Sequence, residues 1–151
     1  MVRQTRTREA VIRMGSATIQ PTSMNFDDLK NEALRALNEG GYGDGRVFDG
    51  RVIAVKTTPA KGNGSAIAVG TAALPAGYTT PPHSHPAEEV AVILSGRGGV
   101  DIDGVVHRVE EGTVLVTPAD SMHTTFADEG APLVVLWFYA PPGSEARWLE
   151  D

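Results

Sequence analysis

Apolar residues change their spacing once along this chain. Phe26, Leu29, Ala33, Ala36 and Leu37 recur at helical intervals, which predicts an amphipathic helix over residues 26–39. Asn25 stands at the N-cap position, Asp27 and Asp28 fall in the first turn, where negative charge suits the helix dipole, and Gly40-Gly41 ends the helix. This stripe is a packing surface. From Val47 onward the runs shorten and read as strands: Arg51–Thr57, Ser65–Ala73, Glu89–Leu94, Gly99–Ile102, Val105–Val109, Thr113–Val116 and Leu133–Tyr139. Asp103-Gly104 signals a hairpin, and Lys61-Gly-Asn-Gly reads as another turn. Many short, regularly punctuated strands predict a sandwich or jelly roll.

Two of these strands, Val90–Leu94 and Leu133–Tyr139, are apolar on both faces, whereas a half-exposed antiparallel strand should alternate. Either the helix or a second subunit must cover the outer face. A helix of about 14 residues spans only about 21 Å, so a homodimer is the expectation.

Composition narrows the class. The 151 residues are enough for one domain with a real core, and 41% hydrophobic with 21% charged residues is ordinary for a soluble protein. No run is long enough for a membrane helix and the start lacks the apolar stretch of a secretion signal, so no membrane partner and a cytoplasmic location are expected. The net charge of −6 argues against nucleic acid as a partner. Residues 1–20 carry four arginines and one glutamate, a segment of +3 against −9 for the rest, and read as a solvated or partly ordered basic arm, with an arm that crosses onto a partner subunit as the sharper alternative. There is no cysteine, so any metal site must be built from histidines and carboxylates. No phosphate-binding Gly-Lys-Ser/Thr loop follows Gly40-Gly-Tyr-Gly-Asp-Gly, and no Gly-x-Ser-x-Gly elbow occurs.

The histidines are not scattered. His83, His85 and Glu89 are separated by even steps, which in extended chain puts all three on one face. His123 follows another strand-like run. Three imidazoles and one carboxylate suit a single divalent transition metal: Fe, Mn, Ni, Zn or Co. By the same parity Ser84, Pro86 and Glu88 point away. His107, the remaining histidine, reads as a surface or edge residue.

Gly77, His83, His85, Glu89 and Gly96 meet each fixed position of the first sequence motif of the cupin superfamily, which the chain resembles. Gly112, Pro118 and His123 match the second motif, with Asp120 where Gly is usual and Ala127 where Asn is usual. Asp visits left-handed backbone more readily than most residues, so the turn before His123 is expected to survive. The resemblance spans roughly residues 45–140. It implies an all-β antiparallel jelly-roll barrel, here preceded by an arm (1–24) and a helix with its cap (25–41), and followed by a tail (141–151).

The resemblance implies that His83, His85, Glu89 and His123 hold the metal, with Glu89 and His123 also assigned to catalysis. Glu89 is the member that in some cupins turns away to act as a base. Ala91 shares the face of Glu89, and its small side chain leaves room beside the metal for a ring-sized substrate unless a neighbour such as Trp137 fills it. Tyr78, Phe126, Trp137 and Tyr139 are the aromatic candidates for substrate contact, and Trp148 is expected to anchor the tail. The function expected is a divalent-metal-dependent enzyme acting on a small oxygenated organic molecule, a dioxygenase first. Lyase, cyclase, isomerase or decarboxylase chemistry and a non-catalytic ligand-binding cupin are the alternatives.

Overall fold

The computed structural model describes residues 19–150. The basic arm lies almost wholly outside them. Helix α1 runs Phe26–Glu39, with the Asn25 side chain accepting from the Asp28 amide and Gly40 left-handed at its end, as the capping signals predict. Leu29, Ala33 and Ala36 are buried, but Phe26, in the first turn, is exposed.

Nine strands follow: β1 (Gly45–Phe48), β2 (Arg51–Thr57), β3 (Ala68–Leu74), β4 (Glu88–Ser95), β5 (Arg97–Ile102), β6 (Val105–Glu110), β7 (Val114–Thr117), β8 (His123–Ala127) and β9 (Leu133–Ala140). They form a six-stranded sheet in the order β1-β2-β3-β9-β4-β7 and a three-stranded sheet in the order β6-β5-β8, with antiparallel pairing throughout. This is the expected jelly-roll arrangement. Asp103 (φ 50°) and Gly104 (φ 89°) make the tight turn between β5 and β6.

The doubly apolar strands are explained by two cores. Leu133, Val135, Trp137 and Tyr139 of β9, with Ala91 and Ile93 of β4, face the interior between the sheets. Val134 and Leu136, with Leu94, Val52 and Ala73, face outward under the helix. Each large aliphatic side chain buried there is worth roughly 1.5–3 kcal/mol, so α1 is a structural layer of the fold. The helix does not reach the far edge. In cross-strand register, Val69, Phe138, Val90 and Val116 form one outward row, with Val92 and Val114 beside it. Val116 and Val114 are exposed and the others are half-buried.

The C-terminal turn, Ser144–Trp148, is tied down by Glu145. Its buried carboxylate accepts from Thr58 Oγ1 at 2.6 Å and from the Gly143 amide at 2.7 Å. Trp148 is thereby set edge-on against Phe48, with ring centroids 5.1 Å apart, and anchors the tail as its position suggests.

Candidate metal centre

His83 and His85 lie on an extended loop that leads into β4, not in a strand. The loop is held by paired backbone bonds between His83 and His123 and by the Asp120 amide donating to the His85 carbonyl. Asp120 is left-handed (φ 63°), so it does the work of the glycine usual at that position. Glu89 is the second residue of β4 and His123 the first of β8, so the four side chains converge from both sheets. Ser84, Pro86 and Glu88 are exposed, as parity predicts, and so is His107 on β6.

Ligand atoms of His83, His85 and His123 all lie within 4.8 Å of one another. Glu89 Oε1 stands 3.2 Å from His85 Nε2 and 3.7 Å from His123 Nε2. The proton positions follow from the backbone. Nδ1 of His83 lies 2.9 Å from the Pro81 carbonyl, Nδ1 of His85 2.9 Å from that of Ala87, and Nδ1 of His123 2.9 Å from that of Ser121. A carbonyl only accepts, so each Nδ1 carries the hydrogen and each neutral ring turns the Nε2 lone pair inward.

Three Nε2 atoms and a carboxylate thus face one another, with His85 Nε2 within hydrogen-bond distance of Glu89 Oε1 at 3.2 Å. His123 Nε2 is buried without any hydrogen-bond partner. An orphaned buried acceptor is unfavourable by about 1–3 kcal/mol, and a cation at the point of convergence relieves it. The donor set of three imidazoles and one carboxylate therefore fits a divalent transition metal, with coordination positions left for a ligand.

The electrostatics agree. Burial lowers the His83 imidazole to about 4, so it is neutral at pH 7. Burial would raise the Glu89 carboxyl, but His123 and His85 beside it outweigh that and hold it at about 2. For His123 burial works downward, and the Glu89 carboxylate reverses the direction and raises it.

The centre opens on an interior cavity with about 60 Å³ for the centres of water molecules. That is well below the roughly 150 Å³ of an apolar cavity that accepts benzene. Ala91, Trp137 and Tyr139 line it. Ala91 pairs with Trp137 across the β4–β9 ladder. Trp137 can lie there because residue 70 is glycine: a Cβ would stand 2.2 Å from the indole and 2.3 Å from the Ala54 carbonyl. Tyr139 stacks on Trp137 at 4.4 Å and lies 4.8 Å from the His85 ring. Its phenol is raised above the usual range by burial and then by the Glu89 charge, so it stays protonated. The space suits a few heavy atoms, less than the ring-sized substrate that Ala91 alone suggests.

Two of the expected contact residues are not brought to the cavity. Phe126 shares a face with Thr124, opposite to His123, Thr125 and Ala127, and its ring packs over Gly99. Tyr78 lies behind the wall, where its hydroxyl accepts from Arg51 Nη1 at 3.1 Å and donates to the Asp49 carbonyl. Arg51 and Trp148 line the cavity and were not among the expected site residues. An arginine opening a strand reads as a surface residue, yet Arg51 has the parity of Ile53 and Val55 and points inward. The aromatic character of Trp148 was its only signal.

A family model described as the cupin domain matches residues 70–139, the stretch that carries the four candidate ligands. Residues 70–139 are a cupin domain. This cupin is 39% identical over 59 residues to the dimethylsulfoniopropionate lyase DddW of Ruegeria pomeroyi, a match that takes in 39% of each chain. Among solved structures, KdgF from Halomonas sp. aligns with a TM-score of 0.57 at 21% identity, over 69% of this chain and 91% of that one. The salicylate 1,2-dioxygenase of Pseudoaminobacter salicylatoxidans aligns with a TM-score of 0.60 at 22% identity, over 80% of this chain and 35% of that one. At these identities the structural likenesses are likenesses of fold.

Proposed function

We propose that this cupin is a divalent-metal-dependent enzyme acting on a small oxygenated organic molecule. The observation that carries the reading is the convergence of three Nε2 lone pairs and the Glu89 carboxylate, one of those nitrogens orphaned, at the wall of a cavity. His83, His85, Glu89 and His123 would hold Fe, Mn, Ni, Zn or Co. When bound, the ion supplies Lewis acidity toward substrate oxygens or, as iron, a site for dioxygen.

The chain's own groups bind and orient the substrate. Glu89, ionised well below neutral pH, acts as an anionic ligand more than as a proton store. The protonated Tyr139 hydroxyl is available to donate a hydrogen bond, while Trp137 and the aliphatic wall exclude water.

Two reaction classes compete on this site. Dioxygenase chemistry needs room for substrate and oxygen together. Lyase chemistry needs room for one compact molecule only, and it is favoured by two observations: the small cavity and the local sequence likeness to a lyase. We therefore place lyase chemistry first and dioxygenase chemistry second.

The test is to load metal-free protein separately with each of the five ions and offer small oxygenated acids with and without air. Turnover without oxygen supports the lyase reading, and turnover coupled to oxygen uptake supports the dioxygenase. Stoichiometric metal with no turnover of any acid leaves a ligand-binding cupin. The homodimer also belongs to this proposal. Its support is the outward row Val69, Phe138, Val90 and Val116 with Val92 and Val114, which runs from half-buried beside the helix-side core to exposed at Val114 and Val116.

A further inference from the structure

Arg51 opens β2 with the inward parity of Ile53 and Val55, and only 6% of it is exposed. It shares the cavity wall with His83, Glu89 and Trp148. Its polar partner is one phenol: Nη1 donates to Tyr78 Oη at 3.1 Å. That phenol gives its own hydrogen to the Asp49 carbonyl, so its oxygen is committed to receiving Arg51. The guanidinium also lies 5.2 Å from the Trp148 ring.

Most other cations of the described residues have a carboxylate. Arg35 pairs with Glu39, Lys56 with Glu32 and Asp44, Lys61 with Asp44, and Arg108 with Asp128. Those pairs are at the surface, where they matter least. Arg51, which is buried, has no carboxylate partner among the described residues. A buried charge without a counter-ion is strongly unfavourable, and a guanidinium has five N–H donors, of which a single one is used here.

A second guanidinium, Arg147, lies 4.2 Å from the Trp148 ring, and its charge is felt at His83 and His123. One end of the cavity is therefore cationic in a chain of net charge −6. The candidate metal ligands line the same cavity. The planar fork of an arginine matches a carboxylate through two parallel N–H···O bonds.

We infer that Arg51 anchors a carboxylate of the substrate, so that the cavity selects a compact carboxylic acid over its neutral amide. The inference rests on the proposal that a small organic molecule occupies this cavity. Tyr78 is a positioning residue: it touches the guanidinium and not the cavity. The small cavity fits a compact acid.

The test uses propanoate and propanamide, equal in heavy atoms, and reads binding by the fluorescence of Trp137 and Trp148 and by ligand NMR. Metal-free wild type should bind propanoate about tenfold or more tightly than propanamide, the usual scale of a charge-assisted bond. Arg51→Met should abolish that preference in metal-free protein and leave zinc uptake unchanged. Arg51→Lys, which keeps the charge but loses the fork, should retain part of it. Tyr78→Phe should weaken propanoate and spare propanamide. If Arg51→Met does not fold, the wild-type preference and the Tyr78→Phe split decide. Equal binding of acid and amide by metal-free wild type, or a preference that survives in Arg51→Met, overturns the inference. Failure of the metal reading shows separately, as absence of zinc uptake by wild type.

Discussion

His123→Ala separates the metal account from a purely structural one. The wild-type ring is buried, its Nδ1 satisfied by the Ser121 carbonyl and its Nε2 by nothing. In metal-free protein the substitution removes an orphaned acceptor worth about 1–3 kcal/mol against folding, and this offsets much of the lost packing. Metal-free variant and metal-free wild type should therefore melt within a few degrees of each other. With metal the two should diverge. At an ion concentration about a hundredfold above Kd, binding to the folded state alone stabilises wild type by about 2.7 kcal/mol. If losing the ligand weakens affinity by at least the about ten- to hundredfold that disturbing a ligand's hydrogen-bond partner costs, the same concentration stabilises the variant by no more than about 1.4 to 0.4 kcal/mol. At about 2–4 °C per kcal/mol for a domain of this size, a metal-induced shift of about 5–11 °C shrinks to at most about 1–6 °C. Calorimetric melts of both proteins with and without ion check this. An equal metal-induced shift in wild type and variant refutes the reasoning, because the ion would then be bound elsewhere.

Ala91→Phe should fill the cavity beside Trp137, cost about 1–3 kcal/mol in overpacking and lower turnover about tenfold or more with metal content unchanged; unaltered turnover places the substrate elsewhere. Metal affinity should fall as pH drops from about 7 to about 5, by up to about tenfold per pH unit for each proton displaced. The sign follows from His123, which must be neutral to ligate and whose affinity for a proton is raised, while His83 (about 4) and Glu89 (about 2) stay deprotonated over that window. A Kd that is flat until about pH 4, measured by calorimetry, contradicts that assignment. Val116→Asp should give a monomer by sedimentation where wild type dimerises, and a wild type that is monomeric at tens of micromolar (a rough range for weak association,) removes the dimer.

Much of this was legible in the chain because the relevant signals are local. The helix and its ends follow from apolar spacing, Asn25 and Gly40, and the Asp103-Gly104 turn from a dipeptide. The four candidate ligands follow from the two motifs that the chain resembles, and even the departure at Asp120 was readable, because aspartate tolerates left-handed backbone. What escaped depends on contacts distant in sequence. Strand β8 was missed because its inward residues, His123 and Thr125, face a polar centre, which inverts the usual pattern. Strand β1 was missed because it is a short edge with glycine and arginine at its start. The parity step that joined His83 and His85 to Glu89 assumed a strand where the chain is a loop, and the convergence holds through the backbone pairing with His123 instead. Parity counted from His123 would have turned Phe126 away from the cavity. Arg51 and Trp148 enter the site through β2 and the C-terminal turn, which no local pattern joins.

The central claim is that His83, His85, Glu89 and His123 hold one divalent ion. Its most direct test is the metal content, by elemental mass spectrometry, of protein purified without added metal, compared with the His83→Ala/His85→Ala double variant matched for folded fraction. The account predicts about one divalent ion per chain in wild type and almost none in the variant. Equal metal in the two proteins, or a wild type that takes up none of Fe, Mn, Ni, Zn and Co when they are supplied, would contradict it.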